Sequence, residues 1–209
     1  AIAEAAPEAA MEAVGALAEA APEAAGLAAQ SMADAVPEMA AEAATTMMEA
    51  APDSAGAIAG GVARGDADIA AQVATEMANA NPDMMGEIAG GVAQAAPNSA
   101  ADVATAMVEA NPDGAADMAA VLAETAPGAA DNMMNTVAEI SPEHAHDVAG
   151  AMAEANPMAV EGTAGAIAEN LPDIAAEVAG AMAEANPEIA GDIAAGMADA
   201  NPEMAGDIA

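Results

Sequence analysis

Proline recurs every 15 residues along this 209-residue chain, at positions 7, 22, 37, 52, 82, 97, 112, 127, 142, 157, 172, 187 and 202, with Ala67 in the one vacant place. A proline inside a helix loses a hydrogen bond and clashes with the preceding turn, at a cost of ~3 kcal/mol. At the first helical position it costs nothing, because no donor is needed there and its ring already sets φ. The residue before it is pushed out of the helical region. The spacing therefore predicts one helix per repeat, starting at each proline and about 12 residues or roughly 18 Å long.

Numbered from its proline, the repeat reads P-[DE]-x-A-[AG]-[DE]-[IV]-A-x-x-[MVLI]-A-[ED]-A-[NA]. Seven of the 14 junctions place a capping side chain before the helix: Asp66, Asn81, Asn111, Ser141, Asn156, Asn186 and Asn201. Each is expected to accept from a first-turn N–H, for ~1 kcal/mol. The acid after proline, such as Glu188 or Asp173, suits the positive end of the helix dipole. Pro82, Pro112, Pro142 and Pro187, with Asn81, Asn111, Asn156 and Asn186, are read as structural helix starts.

Helical periodicity sorts the remaining positions into three faces. Position 11 is large and apolar in every repeat, Met107, Met152, Met182 and Met197 among them, and with positions 3 and 7 it forms the expected core face. Alanine holds positions 4, 8 and 12 with few exceptions, a ridge that lets neighbouring helices come close. Positions 2, 6 and 13 carry 31 of the 35 acids, a narrow outer stripe. Such a helix has neighbours in front and beside it but none behind. The predicted fold is all-α, a two-layered α-solenoid of about fourteen 15-residue single-helix repeats, each with Pro at its start. It is read as one continuous array over residues 1–209, with repeats starting at 7, 22, 37, 52, 67, 82, 97, 112, 127, 142, 157, 172, 187 and 202. Position 9 carries a 30-residue overtone, with Thr45, Thr75, Thr105 and Asn135 alternating with Gly60, Gly90, Ala120, Gly150 and Gly180, so the two layers are expected to differ there. A single right-handed supercoil would put a proline inside its helix at each repeat. Disorder would not require the unbroken apolar position 11.

Composition narrows the functions. With no Phe, Trp or Tyr, the core must be thin and aliphatic. The net charge of −34, against the single base Arg64, argues against nucleic acid and anionic membranes and leaves cations or basic protein surfaces as charged partners. No run of 18 residues lacks both a charge and a proline, so membrane insertion is not expected, and the first residues carry no basic region of a secretory signal. The missing initiator Met suggests a processed chain. The lysine-free acidic surface and the absence of cysteine point weakly to an extracellular or cell-surface setting, with a halophilic cytoplasm as the alternative.

Specific chemistry is sparse. The 17 methionines suggest soft-metal ligation, but most occupy core positions as adaptable filler. The second members of the doublets Met47-Met48, Met84-Met85 and Met133-Met134 fall on the alanine ridge, where they are expected to fill space beside a more distant neighbour. His144 and His146, beside Glu143 and Asp147, are weak metal candidates, because two residues apart on a helix they point away from each other. Arg64-Gly65-Asp66 resembles the Arg-Gly-Asp motif read by integrins. In the structural account Gly65 ends one helix and Asp66 caps the next. The carboxylate stripe predicts weak, nonspecific binding of calcium or other divalent cations and no cofactor. No catalytic triad, cysteine nucleophile, phosphate loop or dinucleotide fingerprint is present, so no catalytic site is expected. The function expected is that of a non-catalytic structural repeat protein, an acidic rod that forms or decorates a fibre, cell surface or envelope by stacking end to end or laterally on itself. The alternative is a solenoid binding module offering a carboxylate array to a basic protein or to divalent cations. Because the last repeats are close to consensus and both ends fall inside a helix, the array is expected to continue or to stack on other copies.

Overall fold

The computed structural model describes residues 7–201. Thirteen α-helices occupy them: α1 (Pro7–Ala20), α2 (Ala25–Ala35), α3 (Ala40–Ala50), α4 (Ala55–Gly65), α5 (Ala70–Ala80), α6 (Met85–Ala95), α7 (Ala100–Ala110), α8 (Ala115–Thr125), α9 (Pro127–Ile140), α10 (Ala145–Ala155), α11 (Val160–Asn170), α12 (Ala175–Ala185) and α13 (Ala190–Ala200). No strand occurs among the described residues.

Each described proline opens its repeat as predicted, but mostly through a single 3₁₀ turn rather than directly into α-helix. Pro22–Ala24 is the first such turn. There Ala24 N–H donates to the Ala21 carbonyl at 2.9 Å, and Ala25 N–H donates to Pro22. Only α1 and α9 run as α-helix from the proline itself. Where Ala67 replaces proline, residues 67–69 form only a bend. The residue before each helix start is extended, as at Asn81 (φ −144°, ψ 90°) and Ala96 (φ −144°, ψ 70°), which is the conformation that a following proline enforces. One extended residue and one tight turn thus reverse the chain, leaving nearly the whole 15-residue repeat helical.

Stacking between second neighbours builds two layers. The even-numbered helices α2, α4, α6, α8, α10 and α12 form one, and the odd-numbered helices form the other. The core between them is continuous. It takes in position 11 from Met47 to Met197, including Met107, Met152 and Met182, and position 7 residues such as Ile58, Ile88, Val103 and Met118. Near the beginning position 11 is less protected: Leu17 is 39% exposed and Met32 half-buried, on helices that have a stacked neighbour on one side only among the described residues. Ile2, the first position 11 residue, lies outside the described residues.

Most alanines at positions 4, 8 and 12 are buried, and one of them, Ala33, faces Gly65 of the stacked helix. The closest approach between stacked helices comes from glycines at positions 5, 9 and 10. A Cβ on Gly60 would stand 2.6 Å from the Gly91 carbonyl oxygen, and one on Gly26 would stand 2.6 Å from that of Ala57. A Cβ on Gly61 would overlap the backbone of Gly26, and one on Gly91 that of Gly56. Here the helices meet backbone to backbone. The second methionine of each doublet is enclosed by the packing. Met48, Met85 and Met134 are fully buried, and Met85 fills space left by Gly114 of the next stacked repeat.

Candidate interaction surface

The outer stripe forms as predicted. Every acid at positions 2, 6 and 13 whose side chain is described is exposed. Arg64 falls on the same stripe, at position 13 of its repeat, and is exposed too. Rows of like charge a helix diameter apart repel, and at a Debye length of ~8 Å bulk salt screens them only in part.

Shallow grooves cross this surface where small residues bring stacked helices together. The first, about 630 Å³, runs over α4, α6 and α8. Gly56, Gly60, Gly90 and Gly91 line it, with Asp53, Glu87 and Arg64 along its edge. A second, about 360 Å³, lies between α10 and α12 and takes in His146, Asp147, Glu154 and Glu184. A third, about 640 Å³, lies between α11 and α13 beside Glu161, Glu169 and Asp199. The packing that produces the floor of the first groove also accounts for its glycines.

The sequence-derived candidates do not converge. His144, at position 3, is half-buried, with Nε2 3.2 Å from Asp113 Oδ1, so it links the starts of the stacked helices α8 and α10. His146 and Asp147 open instead onto the second groove, and Glu143 is exposed. Among the described residues no group of three or more His, Cys, Asp or Glu side chains could hold a metal ion. The Arg-Gly-Asp run lies at the end of α4. Gly65 is the last residue of α4, as expected, and it ends the helix with a negative φ. Its small size is used elsewhere, since a Cβ there would stand 2.6 Å from the Gln30 carbonyl oxygen of α2. Asp66 is engaged locally, its Oδ1 accepting from Asp68 N–H at 3.0 Å.

The capping residues depart most from expectation. Of the six whose following residues are described, Asp66 and Asn186 accept from a following backbone N–H, the latter from Glu188 at 3.3 Å. Asn81, Asn111 and Ser141 make no such side-chain bond. The residues that follow Asn201 lie outside the described ones. Two asparagines reach backwards. Asn156 Nδ2 donates to the Ala123 carbonyl at 2.7 Å, and Asn201 Nδ2 to that of Ala168 at 3.1 Å. Each acceptor belongs to the last turn of the stacked helix two repeats earlier, where carbonyls lack intrahelical partners. A side chain expected to start its own helix therefore finishes its neighbour's. Ser54 makes a related link, its Oγ donating to the Pro22 carbonyl at 3.3 Å.

One acid breaks the pattern of the stripe. Asp131, at position 5 of α9, is half-buried and accepts from Thr163 Oγ1 at 2.7 Å. Burial raises its pKa above the ordinary 3.8, and the Thr163 hydrogen bond opposes that rise. The sequence did carry a signal for this pair, because Thr163 is the one polar residue at position 7 among the described repeats. No described helix is long and apolar enough to cross a membrane. No family model, curated protein or solved structure matches the chain. The geometry defines an acidic, two-layered helical repeat array with outward carboxylates and glycine-backed stacking.

Proposed function

We propose that this chain is a non-catalytic structural repeat protein, a stiff acidic rod that forms or decorates a fibre, cell surface or envelope by stacking on copies of itself. The reuse of one contact along the array carries this reading. The position 10 glycine of one helix lies against the position 5 backbone of the stacked helix before it, at Gly61 on Gly26, Gly91 on Gly56 and Gly196 on Glu161. A contact that joins repeats within a chain by backbone proximity alone, with no special side chain, also suits the joining of chains. Electron microscopy with light scattering tests it. Fibres or concentration-dependent end-to-end species that grow with salt support the reading, and discrete monomers at all concentrations and ionic strengths oppose it.

The exposed carboxylates favour one second reading, a binding module for a basic protein or for divalent cations. Stoichiometric capture of one basic protein by monomers would favour it over self-assembly. Thermal melts that do not change between low salt and millimolar calcium would remove its cation branch.

A further inference from the structure

Two departures from the repeat meet in space. Position 7 is apolar in every described repeat but one, where Thr163 stands, and Asp131 occupies position 5, which is Ala or Gly in most repeats. They lie 32 residues apart on different helices, and the Thr163 hydroxyl, itself buried, donates to the Asp131 carboxylate at 2.7 Å. The bond spans α9 and α11, the slackest stacked pair of the array. Helix α10 scarcely meets α11 either, whereas α10 and α12 pack closely in the other layer. A cavity of about 240 Å³ opens at the same seam, between Ala138 near the end of α9 and the turn formed by Leu171, Pro172, Asp173 and Ile174. Met134, rather than the usual alanine, stands fully buried at position 8 of α9.

We propose that the α9/α11 seam is a joint in the rod, opening and closing about the intact α10·α12 stack, with the Thr163–Asp131 hydrogen bond as its clasp. Elsewhere in the array, polar links such as Asn156 to Ala123 accompany close packing, which acts cooperatively over a whole face. Here the Thr163–Asp131 bond accompanies sparse packing, so the local free energy of opening is lowest at this seam. Hinging on the even side spreads the odd side, and the bend is confined to one place instead of being shared along the array. This inference does not depend on self-assembly: a rod that never polymerises would still bend here.

The chain contains no cysteine, so spin labels can be placed at will. Glu109, Glu169 and Glu49 are exposed at position 13 of α7, α11 and α3. A pair at Glu109→Cys and Glu169→Cys spans the seam, and a pair at Glu49→Cys and Glu109→Cys spans two ordinary stacking steps as the control. In pulsed dipolar spectra the seam pair should give the broader distance distribution. Thr163→Val should shift it to longer distance and broaden it further, while the control pair stays unchanged. Thr163→Ser, which keeps the hydroxyl, should restore the parent distribution, and Asp131→Asn, which keeps an acceptor, should leave the clasp closed. A seam distribution that Thr163→Val leaves unchanged overturns the proposal. So does a Thr163→Val variant in which both pairs broaden together, because that result reports general loosening rather than a joint.

Discussion

The even and odd layers are written in the same 15-residue phrase, yet they stack by different means. In the even layer α2, α4 and α6 meet through Gly26, Gly56, Gly60, Gly61 and Gly91, with backbone against backbone. In the odd layer α3, α5 and α7 carry Thr45, Thr75 and Thr105 at the equivalent of Gly60 and Gly90, and they stack less closely. The difference belongs to the residues rather than to the layer. Where Gly165 and Gly196 enter the odd layer, α11 and α13 pack about as closely as the glycine-backed even pairs. Side-chain volume at positions 5, 9 and 10 sets the spacing, and the 30-residue overtone at position 9 is its trace in the sequence. A helix that loses its Cβ atoms at these points gains contact area and gives up about 1 kcal/mol of helix propensity per glycine, so the tight layer is held by packing and not by intrinsic helicity.

The largest effect is expected where that backbone contact is obstructed. Gly91→Ala should destabilise the protein by about 1–2 kcal/mol net, because overpacking against backbone falls at the upper end of 1–3 kcal/mol and the better helix propensity of alanine returns only about 1. Chemical denaturation reads this directly. A variant as stable as the parent would mean that glycine contacts do not set the spacing of the even layer.

The cross-helix asparagines come next. Asn156→Ala should cost about 1 kcal/mol, since it leaves the Ala123 carbonyl without its partner, whereas Asn81→Ala, which removes a side chain with no capping bond, should cost markedly less. Equal losses in paired melts would show that asparagine acts through its own backbone conformation rather than by finishing the neighbouring helix.

These two tests address what the sequence concealed. Helix number, helix starts, the apolar position 11 and the outer acids could all be read from one chain, because they follow from local steric rules and helical period. The direction in which a side chain reaches could not. Asn156 and Asn186 occupy the same repeat position before the same proline, but one donates to a carbonyl 33 residues earlier and the other accepts from an N–H two residues later. That choice depends on the offset between stacked helices, a tertiary quantity. The same holds for the flank contact. Periodicity put alanine there, and the closest approach falls to glycines at positions 5, 9 and 10. Thr163 and Asp131 each depart from the repeat consensus, but nothing local indicates that they meet.

A smaller effect, of opposite sign, should follow where glycine is used without a neighbour. Gly180 holds the same position 9 as Gly60 and Gly90, but it is exposed and a Cβ there would meet nothing within 4 Å. Gly180→Ala should therefore stabilise the protein by about 0.5–1 kcal/mol through helix propensity alone. Set beside Gly91→Ala, this separates conformational cost from contact: a destabilising Gly180→Ala in the same denaturation series would undo the separation.

The smallest expected effect concerns the odd layer at its weakest point. Burial is the main influence on Asp131 and raises its folded pKa above 3.8, with the Thr163 hydrogen bond acting in the opposite direction. The folded protein therefore holds this proton more tightly than the unfolded chain does. The resulting stabilisation is complete below the unfolded pKa and is lost as pH rises through the folded one. Asp131→Asn keeps the size and an acceptor but cannot ionise. The difference in stability between variant and parent should be flat below the ordinary carboxylate range, should rise in favour of the variant as pH passes through the raised pKa, and should level off towards neutrality. Taking the difference cancels the relief of repulsion that acid brings to the rest of the carboxylate array, because both proteins share it. A difference that does not vary with pH would show that Asp131 is as well solvated as the acids of the outer stripe, and the contrast between the seam and the rest of the surface would then rest on packing alone.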